Sequence, residues 1–162
     1  MGNNDYIFID NLVECYSDMI LRIAIQNIKN KVDAEDIVQS VFLKLLKLNP
    51  IFSSKDHEKA WIIRTTINLC KDYLKSAWLR KIIPLSEEII CAGNENNEEN
   101  ILYIVQKLPS NQKNAIYLYY FEEMDIKMIA NIMGAKENTV MSWLHRARKK
   151  LKIMVEGENY YE

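Results

Sequence analysis

"MDIKMIANIMGAKENTVMSWLHRARKKLK", Met124 to Lys152, is the stretch whose reading decides the fold. Asp125 can cap a short helix in which Ile126, Ile129, Ala130 and Ile132 or Met133 face inward. Gly134 follows where the chain must turn sharply, a position that suits a left-handed residue. A second helix then carries Val140, Leu144, Ala147, Leu151 and Met154 at intervals of four, three, four and three, one clean apolar stripe. Its other faces show Asn138, Thr139, Ser142, Trp143, Arg146 and Lys150, flanked by His145, Arg148, Lys149 and Lys152. Two short helices around a Gly turn, the second ending in cations, make a helix-turn-helix. Small polar groups at the start of such a helix reach base edges in the major groove, and later Arg and Lys residues grip phosphates. A basic helix end also suits the helix dipole as plain solvated surface; the Gly turn and the two-helix spacing favour the groove.

Upstream of this unit, helical patterning runs from Ile101 to Leu108-Pro109, and Ser110 can cap a helix through Ala115, Ile116, Leu118 and Tyr119 to about Phe121. Before it lies "IIPLSEEIICAGNENNEEN", Ile82 to Asn100, with five glutamates and no Lys or Arg, which reads as an acidic linker. The N-terminal part opens with a helix over about Asp5 to Lys29, its apolar positions Ile9, Leu12, Val13, Tyr16, Ile20, Ile23 and Ala24. Asp33 offers an N-cap to a second helix that buries Ile37, Val38, Val41, Phe42, Leu45 and Leu46 and ends at Asn49-Pro50. A loop, "NPIFSSKDHEK", leads into a long helix from about Glu58 to Arg80 with Ala60, Ile63, Ile67 and Leu74 as its stripe. The expectation is all-α: an N-terminal three- to four-helix bundle (1–81), a flexible acidic linker (82–100), a C-terminal four-helix domain with the helix-turn-helix (101–156), and a tail (157–162).

Composition agrees. The 162 residues are 49% hydrophobic and 27% charged, with 4 Gly and 3 Pro, too little turn chemistry for a many-stranded sheet. The formal net charge is −1, so the whole-chain balance does not announce nucleic acid, and the placement of charge matters more. Cys15, Cys70 and Cys91 show no Cys-x-x-Cys spacing, which indicates neither a disulfide framework nor zinc; His57 and His145 lie on separate segments. No metal, cofactor, signal peptide or membrane span is expected, and reduced thiols point to the cytoplasm.

The long N-terminal helix carries a second signal. Arg64, Asn68, Lys71 and Lys75 fall at intervals of four, three and four, one face over roughly 16 Å. Trp61 lies one turn before this row and Trp78 closes it. Aromatics interleaved with cations suit a nucleic-acid strand with unstacked bases; a solvated face with Trp61 in the core is the alternative. The second helix poses the opposite puzzle: Asp36, Gln39 and Ser40 form a neutral-to-acidic strip.

These segments carry a resemblance. "DAEDIVQSVFLKLL" (33–46), "AWIIRTTINLCKDYLK" (60–75) and "LPSNQKNAIYLYYFEEMDIKMIANIMGAKENTVMSWLHRARKKL" (108–151) resemble, in order, the core-binding, promoter-melting and C-terminal regions of the extracytoplasmic-function sigma factors. The likeness runs from about Phe8 to Lys152. It implies that Asp36, Gln39, Ser40, Leu43 and Leu46 bind a coiled coil of the largest subunit of core RNA polymerase, so the strip lacks cations because its partner is protein. It implies that the loop Phe52 to Lys59, with Phe52, Ser53, Ser54 and Lys59, and the helix residues Trp61, Arg64, Asn68, Lys71 and Lys75 bind the melted non-template strand of the minus-ten element, with a base extruded into the loop. The minus-thirty-five element falls to Lys136, Asn138, Thr139, Met141, Ser142, Trp143, His145, Arg146, Arg148 and Lys149, and the C-terminal domain would also meet the polymerase flap. The acidic linker would thread toward the RNA exit path. An anti-sigma factor, often membrane-anchored, would hold the protein inactive.

Three departures accompany the likeness: Ser40 stands where the family often has an acid, Lys136 where it often has a capping Ser or Thr, and Met141 where Lys is common. Two other function classes compete with this one. An autonomous helix-turn-helix regulator fits the C-terminal motif but leaves the Arg64 to Lys75 row without a task. An enzyme could draw on a carboxylate pair such as Glu122-Glu123 or on one of the His or Cys residues, but neighbours on a helix point apart and nothing supplies a nucleophile–base pair.

Overall fold

The computed structural model describes residues 3–80 and 97–158 and shows seven helices among them. The chain divides into two compact units. The first holds α1 (Asn3–Ile28), α2 (Lys31–Leu48) and α3 (Lys55–Leu79), each packed on the other two. The second holds α4 (Asn97–Gln106), α5 (Ser110–Tyr120), α6 (Ile126–Met133) and α7 (Glu137–Glu158), with α7 lying on α4, α5 and α6. Both are all-helical, as expected. Asn97–Asn100 of the expected linker form the first turn of α4, and residues 81–96 lie outside the described residues.

Helix starts follow local chemistry, with three shifts. The cap of α2 is Asn30, not Asp33: the Asn30 side chain accepts the Asp33 N–H at 3.1 Å. Asp33 therefore sits in the first turn, where its charge favours the helix N-terminus and its carboxylate is free to reach α3. Ser54 caps α3 by accepting the His57 N–H at 3.1 Å, so the helix begins at Lys55, three residues earlier than the apolar pattern indicates. Pro109 occupies the cap position of α5 and Ser110 is its first residue.

Ends are equally legible. Asn49 adopts a left-handed conformation (φ 42°) with Pro50 behind it, and Gly134 (φ 62°) sends its N–H back to α6. The first core is built on Leu12, Met19, Ile20, Ile23, Ala34, Val41, Leu45, Ile62, Ile63 and Ile67. Val13 is exposed, because it lies about 100° around α1 from Leu12. Val38, Leu46, Ala60 and Leu74 are half-buried rather than central, and Ile62, Thr66 and Cys70 take the inner face of α3. The second core centres on Val105, Tyr117, Leu118, Ile129, Val140, Leu144 and Ala147.

Candidate nucleic-acid interface

The inner face of α3 is fixed by its core residues, and this decides what remains outside. Arg64, Asn68, Lys71, Lys75 and Trp78 are all exposed, on the side away from Ile62, Thr66 and Cys70. Trp61 is half-buried. Lys59 lies off this row, about 140° around the helix from Arg64, and is half-buried. His57 lies on it, seven residues before Arg64; the spacing that reveals the row could have found it.

The loop before α3 is tied to the helix start. The Ser53 N–H donates to His57 Nδ1 at 3.1 Å, and Ser53 Oγ lies 3.2 Å from the same nitrogen. The Phe52 ring meets His57 edge-on (centroids 5.4 Å apart) and Trp61 at 5.9 Å. Phe52, His57 and Trp61 thus form an aromatic cluster at one end of the cationic row, and exposed Trp78 stands at the other. Cations along a backbone with rings beside it hold a single strand by charge and stacking.

Behind the row two tyrosines anchor α3. Glu58 is buried, and its carboxylate accepts the Tyr16 O–H at 2.8 Å and Lys55 Nζ at 3.2 Å. Burial, and then the bond to Glu58, pushes the Tyr16 phenol well above its ordinary range. Tyr73 O–H donates to Asp33 on α2; that bond first, and burial second, pushes the phenol up to about 12. Each tyrosine crosses from one helix to another, so α3 is held against both α1 and α2 by a carboxylate bond.

On α2, Asp36 and Gln39 are exposed and Ser40 is half-buried, its hydroxyl donating back to the Asp36 carbonyl at 2.9 Å. Leu43 is 64% exposed, and Val32, which the sequence reading passed over, is 68% exposed. Val32, Asp36, Gln39 and Leu43 follow at four, three and four, so the strip is a polar centre between two bare aliphatic ends. Leu46 instead turns toward a cleft of about 220 Å³ lined also by Asp5, Phe8, Ile9, Leu45 and Asn49.

In the second unit Asp125 Oδ1 accepts the Met128 N–H at 2.8 Å, and the Gly134 turn delivers α7. Lys136 is exposed, and its carbonyl accepts from Thr139 and Val140 at the start of that helix. Opposite the buried stripe, Asn138, Ser142, His145, Arg146 and Lys149 form one exposed face. Ser142 Oγ donates to the Asn138 carbonyl at 3.1 Å. Thr139 and Trp143 flank this face and are half-buried, while Met141 is exposed on the other flank. Arg148 is turned toward α5: its Nε donates to the Tyr120 hydroxyl at 2.7 Å, and the guanidinium lies 5.5 Å over the Tyr119 ring. Nine of the ten residues expected to meet duplex DNA therefore flank or line the outer surface of α6–α7, and Arg148 is engaged with the tyrosines.

Among the described residues no His, Cys, Asp and Glu group could hold a metal, and no helix is long and apolar enough to cross a membrane.

Comparison with known proteins is consistent along the chain. Residues 12–80 match the model of Sigma-70 region 2, and residues 98–151 that of Sigma-70, region 4. RNA polymerase sigma factor SigV of Bacillus subtilis is 29% identical over 154 residues, 91% of this chain and 93% of its own. ECF RNA polymerase sigma factor SigM of the same organism is 27% identical, covering 90% and 94%. The fold is shared with the sigma factor RpoE of Bartonella quintana, solved with the anti-sigma factor NepR (TM-score 0.71, 19% identity, 91% of this chain and 96% of that one). It is shared too with CnrH, solved with the cytosolic domain of CnrY (TM-score 0.69, 20% identity, 96% and 91%). With one family's two regions matched in order on the two helical units, the chain belongs to the sigma-70 family, in its extracytoplasmic-function group: it is a non-enzymatic RNA polymerase subunit that directs promoter-specific initiation of transcription.

Proposed function

We propose a division of surfaces within this sigma factor. The α2 strip of Val32, Asp36, Gln39, Ser40 and Leu43 docks on a coiled coil of the polymerase's largest subunit, with Leu46 at its edge. The α3 row of Arg64, Asn68, Lys71 and Lys75, with Phe52, Ser53, Ser54 and Trp61, holds the opened non-template strand of the minus-ten element. The outer face of α7, with Asn138 and Ser142 toward the bases and Arg146 and Lys149 toward phosphates, reads the minus-thirty-five element, while the second unit also meets the flap. The protein works in the cytoplasm, and a protein of the anti-sigma class restrains it by covering surfaces that polymerase needs.

The observation that carries this reading is on the first unit. Two helices that share one buried core each leave an exposed outer face, one with Asp36 and Gln39 between bare Val32 and Leu43, the other cationic with aromatic ends. A protein helix pair suits the first and a melted strand the second. Unstacking costs on the order of 1.4 kcal/mol per base-pair step, and stacking of about 1–3 kcal/mol per base offsets it without ATP.

The test is reconstitution with core polymerase. Asp36→Arg loses core binding with the helix content unchanged. Arg64→Ala retains core binding and loses open complex. Equal loss of both functions in Arg64→Ala, or core binding retained by Asp36→Arg, would sink the division. Promoter selection by the chain without polymerase would instead favour an autonomous regulator.

A further inference from the structure

We infer that the cleft between the start of α1 and the end of α2 is a docking site for a protein partner. That partner seats one large apolar side chain in the cleft and lays a cationic amphipathic helix against α1. The face lies outside the α3 row and outside the α2 strip, which it meets only at Leu46.

Size decides what can enter. The cleft of about 220 Å³ is lined by Asp5, Phe8 and Ile9 of α1 and by Leu45, Leu46 and Asn49 of α2. Pockets for drug-sized molecules run to about 300–1,000 Å³, whereas a cavity of about 150 Å³ already holds a benzene ring. The space therefore suits one side chain of Leu or Phe size. Phe8 stays exposed at the cleft, and Tyr6 and Ile7 before it are exposed too. Three consecutive large apolar side chains leave this turn of α1 as bare apolar surface, the kind that a partner helix covers.

Charge selects the class of partner. Asp5, Asp10, Glu14 and Asp18 are all exposed, and α1 holds no Lys or Arg before Arg22. Asp10, Glu14 and Asp18 follow at four and four, a row that exposed Ile7 opens three residues earlier. The last carbonyls of α2, which ends at Asn49, add the negative end of a helix dipole. Lys44 and Lys47 lie 100° or more around α2 from Leu45, Leu46 and Asn49, on its other side. A nucleic-acid strand or an anionic lipid surface would bring phosphates against these carboxylates. A helix with Lys or Arg beside its apolar stripe complements both the bare turn and the acidic row.

The experiment makes the full chain in its native cells with the photo-reactive residue p-benzoylphenylalanine in place of Ile7. Irradiation is expected to join it to one protein, in a segment with Lys or Arg beside an aliphatic stripe at helical spacing. A synthetic peptide of that segment then binds the purified full chain, more tightly as salt is lowered. Asp10→Lys combined with Glu14→Lys weakens the peptide about tenfold, as two exposed attractions turn to repulsions. Phe8→Ser weakens it about as much, through loss of the apolar anchor, and leaves core polymerase binding unchanged. No adduct, an adduct to a segment without cations, or peptide binding that either variant leaves intact overturns the inference. An adduct to a polymerase subunit, or loss of core binding in Phe8→Ser, would make the cleft an extension of the α2 strip and overturn it too. So would an adduct to a second copy of this chain, which would make the face a self-contact.

Discussion

Removing Lys71 from the α3 row gives a prediction whose size follows from counting charges. The row exposes three cations, Arg64, Lys71 and Lys75, on one side of α3. Each phosphate neutralised on a single strand contributes about −0.7 to the slope of log affinity against log salt, so three contacts contribute about −2.1. Lys71→Ala therefore lowers the magnitude of the slope by about 0.7. Between 50 and 200 mM salt, a fourfold change, that one contact accounts for about 2.6-fold in affinity. The measurement is fluorescence anisotropy of a labelled single-stranded minus-ten oligonucleotide titrated with holoenzyme across this salt range. Core polymerase adds its own slope, which cancels in the difference between variant and wild type. Lys59→Ala is the internal control: Lys59 lies on the same helix but off the row, and its removal leaves the slope unchanged. A slope that ignores Lys71, or that falls as much for Lys59 as for Lys71, would refute the reasoning.

Other outcomes are expected from the same structure. Tyr16→Phe removes one of the two partners of buried Glu58 and destabilises the first unit by about 1.5–3 kcal/mol in denaturant unfolding; loss below 0.5 kcal/mol would mean that water replaces the hydroxyl. Both bonded phenols have raised pKa values, so their contribution is full below the ordinary value of 10.0 and fades as pH rises, through about 12 for Tyr73; alkaline unfolding should begin later for wild type than for Tyr73→Phe. Gly134→Ala costs roughly 1–2 kcal/mol from the left-handed backbone alone, because a Cβ there meets nothing within 4 Å; a much larger loss of melting stability would expose a contact that the fold does not show. Arg148→Ala lowers stability of the second unit through the lost Tyr120 bond, while Arg146→Ala weakens promoter binding at equal stability; the reverse assignment in paired melting and binding assays would exchange their roles.

The elements were readable because their signals are local. Asp125 as a cap, Gly134 as the left-handed turn, Asn49-Pro50 as a stop and the four-three stripes of α7 each depend on neighbours within one or two turns. Where the reading slipped, a local rival prevailed. Asn30 outcompeted Asp33 as a cap, and Ser54 began α3 before its apolar stripe did. The row on α3 was legible for the same reason, since period alone places Arg64, Asn68, Lys71 and Lys75 together.

By itself, then, the sequence determined an all-helical chain in two groups, its main turns and stops, and which polar residues share a helix face. Only the tertiary structure decided which of those residues are available. Glu58 is drawn inside by Tyr16, 42 positions away; half-buried Asp33 is engaged by Tyr73, 40 away, and exposed Arg148 by Tyr120, 28 away. No periodicity encodes such pairs. Whether a charged group faces water or a partner depends on burial and hydrogen-bond geometry across packed helices, and these exist only once the core has formed.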